Sequence, residues 1–253
     1  MTGPPAGEPQ AVELSWAQRA GLHSAAVHPA GDVPASLADS ELYGLERLGL
    51  IGEIGPRLRR LGPHTRAAQF RINAAGRTRV LGEALPRVVV VPCSNTKSAA
   101  PAGAAGEMYI GSYHRAARRA AETQAGPDSQ LLVLSAKFGL LRPQDHILRY
   151  DLRAGQRGQV PRAVLLSQAH HLAVGVADVT VFAGKAYANL ARTVWPALAH
   201  PLAGARGIGD HLAFFADLYA PDRRGGAPDG PGLCPQGQGR TISHITPTAA
   251  HRP

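Results

Sequence analysis

Residues 87–97 read RVVVVPCSNTK, and this stretch decides the fold class. The four consecutive valines at 88–91 are typical of a strand that is buried on both faces, as strands of parallel sheets covered by helices are. Short apolar runs of the same kind follow at 131–134 and 179–183, each bounded by turn residues. The sequence therefore predicts three buried strands in a parallel sheet.

Helical segments separate and follow these strands. The predicted helices cover residues 112–124, 163–174, 186–194 and 209–218. Strands that alternate with helices form α/β folds, because the crossover helices pack back onto the sheet. We therefore expect residues 87–220 to form a three-layer α/β sandwich with a mainly parallel sheet.

A separate unit is predicted upstream, at residues 13–85. Its predicted elements are a helix at 41–48, a strand at 50–54, a returning strand at 69–72 and a short helix capped by Asn73. This order, with the phrases LERLGLIG and FRINAAGRTRVL, resembles the second half of a winged-helix domain. The resemblance implies a small domain that binds a duplex or packs against a neighbour.

The chain is strongly basic, with 27 Lys and Arg against 18 Asp and Glu and a net charge of +9. Many of the arginines lie in the predicted unit at residues 13–85. Those that we expect to contact nucleic acid are Arg57, Arg59, Arg60, Arg66 and Arg71. Such a field attracts phosphate backbones, so nucleic acid is an expected partner. The alternative is that an Ala/Arg/Gly/Pro-rich composition explains the arginines and that this unit packs against another domain or mediates dimerisation.

Composition and motifs exclude several classes of protein. Hydrophobic residues make up 44%, which is enough for a core, and two cysteines, Cys93 and Cys234, cannot form a secreted-type disulfide framework. The sequence shows neither a signal-peptide pattern nor an apolar run long enough to cross a bilayer, so we expect a cytoplasmic protein without membrane contact. We expect residues 1–12 and 221–253 to be disordered, and no motif for a metal or cofactor is present.

All three lysines of the chain fall in the turns after predicted strands. The candidate binding residues in these turns are Cys93, Ser94, Asn95, Lys97, Ser135, Lys137, Gly139, Gly184, Lys185 and Tyr187. Sites of open α/β sheets form at the carboxyl ends of the strands, and lysine binds phosphate as a point charge. We therefore expect one pocket for a base or its phosphate, with Tyr109 or Tyr187 stacking on the base. The alternative is that these residues only form turns and caps.

Five phrases carry a resemblance to a known family: VPCSNTK, MYIGSYH, LSAKFGLLRPQDHILRYD, FAGKAY and PLAGARGIGDHLAFF. Over residues 87–219 the chain resembles a family of small bacterial and phage domains of unassigned function. That family is related to the YaaA peroxide-stress proteins and to a domain of archaeosine synthase and archaeal tRNA-guanine transglycosylases. The layout is also similar to the uracil-DNA glycosylase fold.

The glycosylase resemblance implies cleavage or exchange of an N-glycosidic bond, which needs a carboxylate near the sugar and a donor at the leaving base. The candidate catalytic residues are Asp145 and Asp151, after the second strand, and His200, in a phrase comparable to the histidine loop of glycosylases. The first strand is followed by PCSN and lacks the glycosylase aspartate. Two alternatives stay open: a non-catalytic DNA-binding stress or defence protein, and a small-molecule nucleotide hydrolase.

Overall fold

The protein is a mixed α/β chain, and a computed structural model describes its residues 12–54, 69–126 and 128–220. The helices are α1 (Trp16–Val27), α2 (Asp39–Arg47), α3 (Ala74–Leu81), α4 (Ala105–Met108), α5 (Ser112–Gln124), α6 (Arg162–His171), α7 (Lys185–Arg192) and α8 (Ile208–Tyr219). The strands are β1 (Ile51–Ile54), β2 (Gln69–Ile72), β3 (Arg87–Pro92), β4 (Ala102–Ala104), β5 (Ser129–Ser135), β6 (Gly139–Leu141), β7 (His146–Leu148) and β8 (Asp178–Val181). The predicted leader before residue 12, the predicted tail at 221–253 and the arginines Arg57, Arg59, Arg60 and Arg66 lie outside the described residues.

The central sheet has four strands in the order β6-β5-β3-β8. The three strands predicted from apolar runs pair in parallel, with β3 between β5 and β8. The edge strand β6 was not predicted, and it runs antiparallel to β5. Gly139 reverses the chain into β6 with a φ of +79°, which a residue with a Cβ adopts at a cost. The sheet is therefore mixed, with a parallel centre.

The valine run of β3 is buried on both faces of the sheet, as predicted. Val88 and Val90 pack with residues of α6 and α7, such as Leu165. Val89 and Val91 pack in a second cluster with residues of α5 and α8. Successive side chains of a strand point to opposite faces, so the run supplies two cores at once. Helices cover both faces of the sheet and leave its carboxyl edge to the connecting loops.

The elements upstream of β3 agree with their predicted positions. Strands β1 and β2 pair antiparallel, with Ile51 opposite Ile72. The side chain of Asn73 accepts a hydrogen bond from the N–H of Gly76 at 3.0 Å and so caps α3. Leu45 of α2 and Phe70 of β2 are buried in the core that these elements share with α1.

This upstream part packs directly on the α/β part. The indole N–H of Trp16 donates to the carbonyl of Arg87 at 3.3 Å, next to the start of β3. His28 stacks on His170 of α6 with ring centroids 4.7 Å apart, and the hydroxyl of Ser24 lies 3.2 Å from Nδ1 of His170. These contacts join α1 and the residue after it to the start of β3 and to α6. Among the described helices, none has the length and apolar character that membrane crossing requires.

Candidate functional site

A cavity of about 700 Å³ opens at the carboxyl ends of β3 and β8. Its walls come from the end of β3, the start of α5, the length of α7, the first turn of α8, and the loop that connects α7 and α8. The polar and aromatic side chains that line it belong to Cys93, Tyr113, Lys185, Tyr187, Asn189, Arg192, His200 and His211. Its volume falls in the usual range for small-molecule sites, roughly 300–1,000 Å³.

The lining of this cavity is electropositive, and we call it the cationic cavity. Lys185 and Arg192 carry permanent charges, and none of the described residues that line the cavity is Asp or Glu. Burial lowers the pKa of His211, and the nearby His200 lowers it further. A positive cavity without carboxylates attracts an anionic ligand.

Two helices begin at the cationic cavity. Gly184 and Gly207, the residues that precede α7 and α8, both line the cavity, and neither helix start has a side-chain cap. Within the described ranges, the N–H groups of Lys185 and Ile208 have no hydrogen-bond acceptor. Free N–H groups and the positive ends of helix dipoles therefore border the cavity.

The two histidines of the cavity are held by different partners. Nε2 of His200 lies 2.8 Å from the carbonyl oxygen of Ala183, so its N–H donates to that oxygen. Nδ1 of His211 lies 2.7 Å from the phenol oxygen of Tyr113 on α5. Both rings are therefore oriented before any ligand binds.

Cys93 and Tyr187 meet at the cavity wall, with the thiol sulfur 3.0 Å from the phenol oxygen. Cys93 is buried, and burial raises the pKa of Tyr187, so the phenol keeps its proton at neutral pH. The contact restrains the ring of Tyr187, an aromatic side chain that lines the cavity.

A second polar cluster, the phenol cluster, consists of Ser135, Tyr150, Tyr109 and Lys97. The Ser135 oxygen accepts hydrogen bonds from the N–H groups of Lys137 at 3.2 Å and Phe138 at 3.0 Å. With both lone pairs used, its hydroxyl donates to the Tyr150 oxygen at 2.7 Å. That oxygen lies 3.0 Å from the oxygen of Tyr109. Burial raises the pKa of Tyr109 to about 12 and also raises that of Tyr150, so the cluster is a chain of neutral hydroxyls.

Lys97 lies in the phenol cluster with 8% of its surface exposed. Its Nζ is 4.1 Å from the centre of the Tyr150 ring and 3.5 Å from the carbonyl oxygen of Asn95. Burial lowers the pKa of Lys97, because few polar groups replace the water that its ammonium has lost.

The sequence predicts that the three lysines line one pocket, but the structure places them in three different surroundings. Lys185 lines the cationic cavity, Lys97 is buried in the phenol cluster, and Lys137 is exposed and lines neither. Cys93 lies between the cationic cavity and the phenol cluster. Its thiol contacts Tyr187 of the cavity on one side and Tyr150 of the phenol cluster on the other. The turn after β5 directs Lys137 outward, since Ser135 binds the N–H groups of that turn.

Three other predicted binding residues have structural roles in the loops. Ser94 is buried, and its oxygen accepts from the N–H groups of Thr96 and Gly111, each at 3.1 Å. Asn95 is exposed and accepts from the guanidinium of Arg153 at 3.1 Å. Gly139 makes the turn into β6. These residues shape the loops around the two clusters.

The predicted catalytic residues lie apart from one another. The carboxylate of Asp145 accepts from the backbone N–H of Arg142 at 2.8 Å and from its guanidinium at 3.1 Å, and it closes the turn before β7. Asp151 is exposed, and its charge acts on Lys97. His200 lines the cationic cavity. Within the described ranges, no three His, Cys, Asp or Glu side chains come together as metal ligands would.

Five polar or aromatic residues of the cationic cavity and the phenol cluster were not among the predicted site residues: Tyr113, Tyr150, Asn189, Arg192 and His211. Tyr150 directly precedes Asp151 in the sequence, so its place near the site followed from the same motif. Tyr113 and His211 lie on α5 and α8, 98 positions apart, and meet only through helix packing. Their helical spacing indicates an inward face but not the partner across it.

Comparison with known proteins gives one match. Neither the curated proteins nor the solved structures contain a match to this chain. Residues 88–217 match a family of unknown function, DUF6884, and this span runs from β3 into α8. It includes every described residue of the cationic cavity and of the phenol cluster. Because the match covers about half of the sequence, the chain belongs to the family DUF6884.

Proposed function

We propose that the protein binds a nucleobase or nucleotide in the cationic cavity and acts on nucleotides or nucleic acids. One observation carries this proposal: the cavity combines permanent positive charge at Lys185 and Arg192 with phenol rings at Tyr113 and Tyr187, and its described lining has no carboxylate. A phosphate needs cations and N–H donors, and a base needs a flat surface. Few ligand classes other than nucleotides need both.

Titration of the full chain tests this proposal. Nucleoside 5′-monophosphates and the matching nucleosides are each titrated calorimetrically at low salt. We expect the monophosphates to bind at least about tenfold more tightly, since a charge-assisted hydrogen bond contributes roughly 1.5–3 kcal/mol. Absence of binding for every nucleotide and nucleoside would refute the proposal.

The proposal also includes two fold resemblances, one for the α/β part and one for the unit upstream of it. We propose a three-layer arrangement like that of uracil-DNA glycosylases, related to the YaaA proteins, preceded by a winged-helix-like unit. Helices on both faces of the sheet and a cavity at its carboxyl edge support the first resemblance. The order α2, β1, β2 supports the second. The proposal takes the protein to be cytoplasmic, where nucleotides and nucleic acids are present.

The arginines of the upstream unit carry the nucleic-acid part of the proposal. We expect the logarithm of duplex affinity to fall linearly with the logarithm of salt concentration, by about 0.9 per phosphate contact. Alanine at Arg57, Arg59 and Arg60 together should reduce this slope by about 2–3, measured by fluorescence anisotropy across a salt series. Arg157→Ala, an exposed arginine of the α/β part, is the control and should leave the slope unchanged. Equal slopes for the wild type and the triple variant would refute a role for these arginines.

Cleavage of an N-glycosidic bond is the proposed reaction. His200 supports it, because its ring lines the cavity and Ala183 binds only Nε2 of the ring. We expect mass spectrometry to detect free base after incubation with nucleotides, tRNA or DNA. His200→Ala should reduce the rate by roughly 100-fold or more, the usual effect of losing an acid–base group. Asp151→Asn should have a smaller effect, because Asp151 is exposed and does not line the cavity.

The control for this reaction is Asp178→Asn, an exposed carboxylate at the amino end of β8, which should retain the wild-type rate. Equal rates for all three variants would place the reaction elsewhere. Binding without base release would favour the DNA-binding stress or defence protein. Release from free nucleotides alone would favour the small-molecule hydrolase.

A further inference from the structure

The pair formed by Tyr113 and His211 gives the cationic cavity a group that can change its charge. The phenol oxygen and Nδ1 are 2.7 Å apart. Burial raises the pKa of Tyr113 to about 12, so the phenol is protonated at neutral pH. A phenol O–H is a better donor than a neutral imidazole N–H, so it donates to Nδ1. His211 therefore carries its proton on Nε2 when it is neutral.

The groups that face His211 are mostly positive or neutral. Tyr113 faces it from α5, His200 from the loop before α8, and Lys185 and Arg192 line the same cavity from α7. A Cβ built on Gly184 would lie 3.8 Å from Cε1 of His211, so the ring sits against the start of α7. The nearest carboxylate in sequence, Asp210, is bound to Arg206 at 3.0 Å through the backbone N–H and at 3.2 Å through the guanidinium.

These surroundings favour the neutral form of His211 in the free protein. Burial and the neighbouring His200 both lower the pKa of His211, and the charge of Asp210 opposes them only in part. A dianionic ligand reverses this balance, because it brings two negative charges among the cations. His211 can then hold a second proton at Nδ1, since the Tyr113 oxygen can accept instead of donate.

We propose that the cationic cavity captures a dianionic group, such as the phosphate of a nucleotide, together with one proton taken up by His211; this rests on the proposed function. The proton comes from solvent and forms one new N–H bond, at Nδ1 toward Tyr113, while the existing Nε2–H stays available as a donor; no bond to the ligand forms or breaks. Linkage sets the sign of the pH effect: uptake of one proton makes binding tighter as pH falls. The effect covers the pH range between the pKa of His211 in the free protein and its higher pKa in the complex.

Sulfate is the probe, because it stays a dianion between pH 5 and pH 8, whereas phosphate itself titrates there. Calorimetric titration of the full chain with sulfate should show affinity that rises from pH 8 to pH 6, by up to about tenfold per pH unit for one proton. Titrations in two buffers of different ionisation enthalpy should show an uptake approaching one proton. Long-range ¹H–¹⁵N spectra of the histidine rings should show His211 changing from neutral to imidazolium as sulfate is added at pH 7.

Two variants make the test specific. His211→Gln should bind sulfate no more tightly at pH 6 than at pH 8. His170→Gln is the matched control, since His170 is also partly buried with a lowered pKa but lies at the contact with α1, and it should keep the wild-type pH dependence.

The outcomes separate this inference from the proposed function. A sulfate affinity that does not change with pH, or a pH dependence that persists in His211→Gln, overturns proton uptake by His211 while nucleotide binding still stands. If neither sulfate nor any nucleotide binds at pH 6 or at pH 8, the proposed function is refuted, and the inference is refuted with it.

Discussion

Lys185→Glu is expected to weaken nucleotide binding by at least about 100-fold, or about 3 kcal/mol. The change removes a cation from the lining of the cationic cavity and adds a negative charge that repels the phosphate. Folding should be unaffected, because Lys185 is exposed and occupies the first turn of α7, where the helix dipole favours an acidic residue. The nucleotide titration described above measures the effect.

Lys137→Glu is the control for this charge reversal. Lys137 is also an exposed lysine in a turn after a strand, but it does not line the cavity. The two variants have the same net charge, so long-range electrostatics are matched and only the position differs. An equal loss of affinity in both variants, or no loss in Lys185→Glu, would contradict binding at the cationic cavity.

Gly139→Ala is expected to lower the free energy of unfolding by about 3 kcal/mol. A Cβ at this position would lie within van der Waals overlap of the Gln168 side-chain oxygen. That amide joins the turn to α6, because its oxygen accepts from the N–H of Leu140 at 2.9 Å and its nitrogen donates to the carbonyl of Phe138 at 2.7 Å. The loss combines a left-handed backbone, at roughly 1–2 kcal/mol, with the displacement of two hydrogen bonds of about 1 kcal/mol each.

Gly155→Ala separates the two contributions to this loss. Gly155 also has a positive φ, +88°, but a Cβ there would meet no atom within 4 Å. Its substitution should therefore cost only the backbone strain, about 1 kcal/mol. Chemical denaturation of both variants gives the comparison. Equal losses would show that Gln168 moves aside without cost and does not hold the turn.

The predicted elements that proved correct have strong local signals. The valines of β3 and the short apolar runs of β5 and β8 indicate buried parallel strands, and these strands pair as expected. Asn73 lies at the position from which its side chain caps α3. Each signal depends on periodicity or on a cap within a few residues, so neighbouring residues suffice to read it.

The elements that the sequence did not reveal depend on contacts between distant residues. Strand β6 has only three residues, and its antiparallel pairing needs the turn at Gly139, which Gln168 of α6 supports. The meeting of Tyr113 with His211 needs α5 and α8 to pack side by side on one face of the sheet. Periodicity predicts that a helix has a buried face, but it does not specify the neighbour that covers this face.

The sequence by itself determined which residues follow the strands, and therefore that Cys93, Ser135 and Gly184 belong to the same edge of the sheet, because parallel strands all end there. Only the tertiary structure decided how the side chains at this edge are divided. Ser135 binds the N–H groups of its own turn, and that geometry directs Lys137 to solvent, while Lys97 turns inward onto Tyr150. A turn hydrogen bond sets side-chain direction, and residue type alone does not encode it.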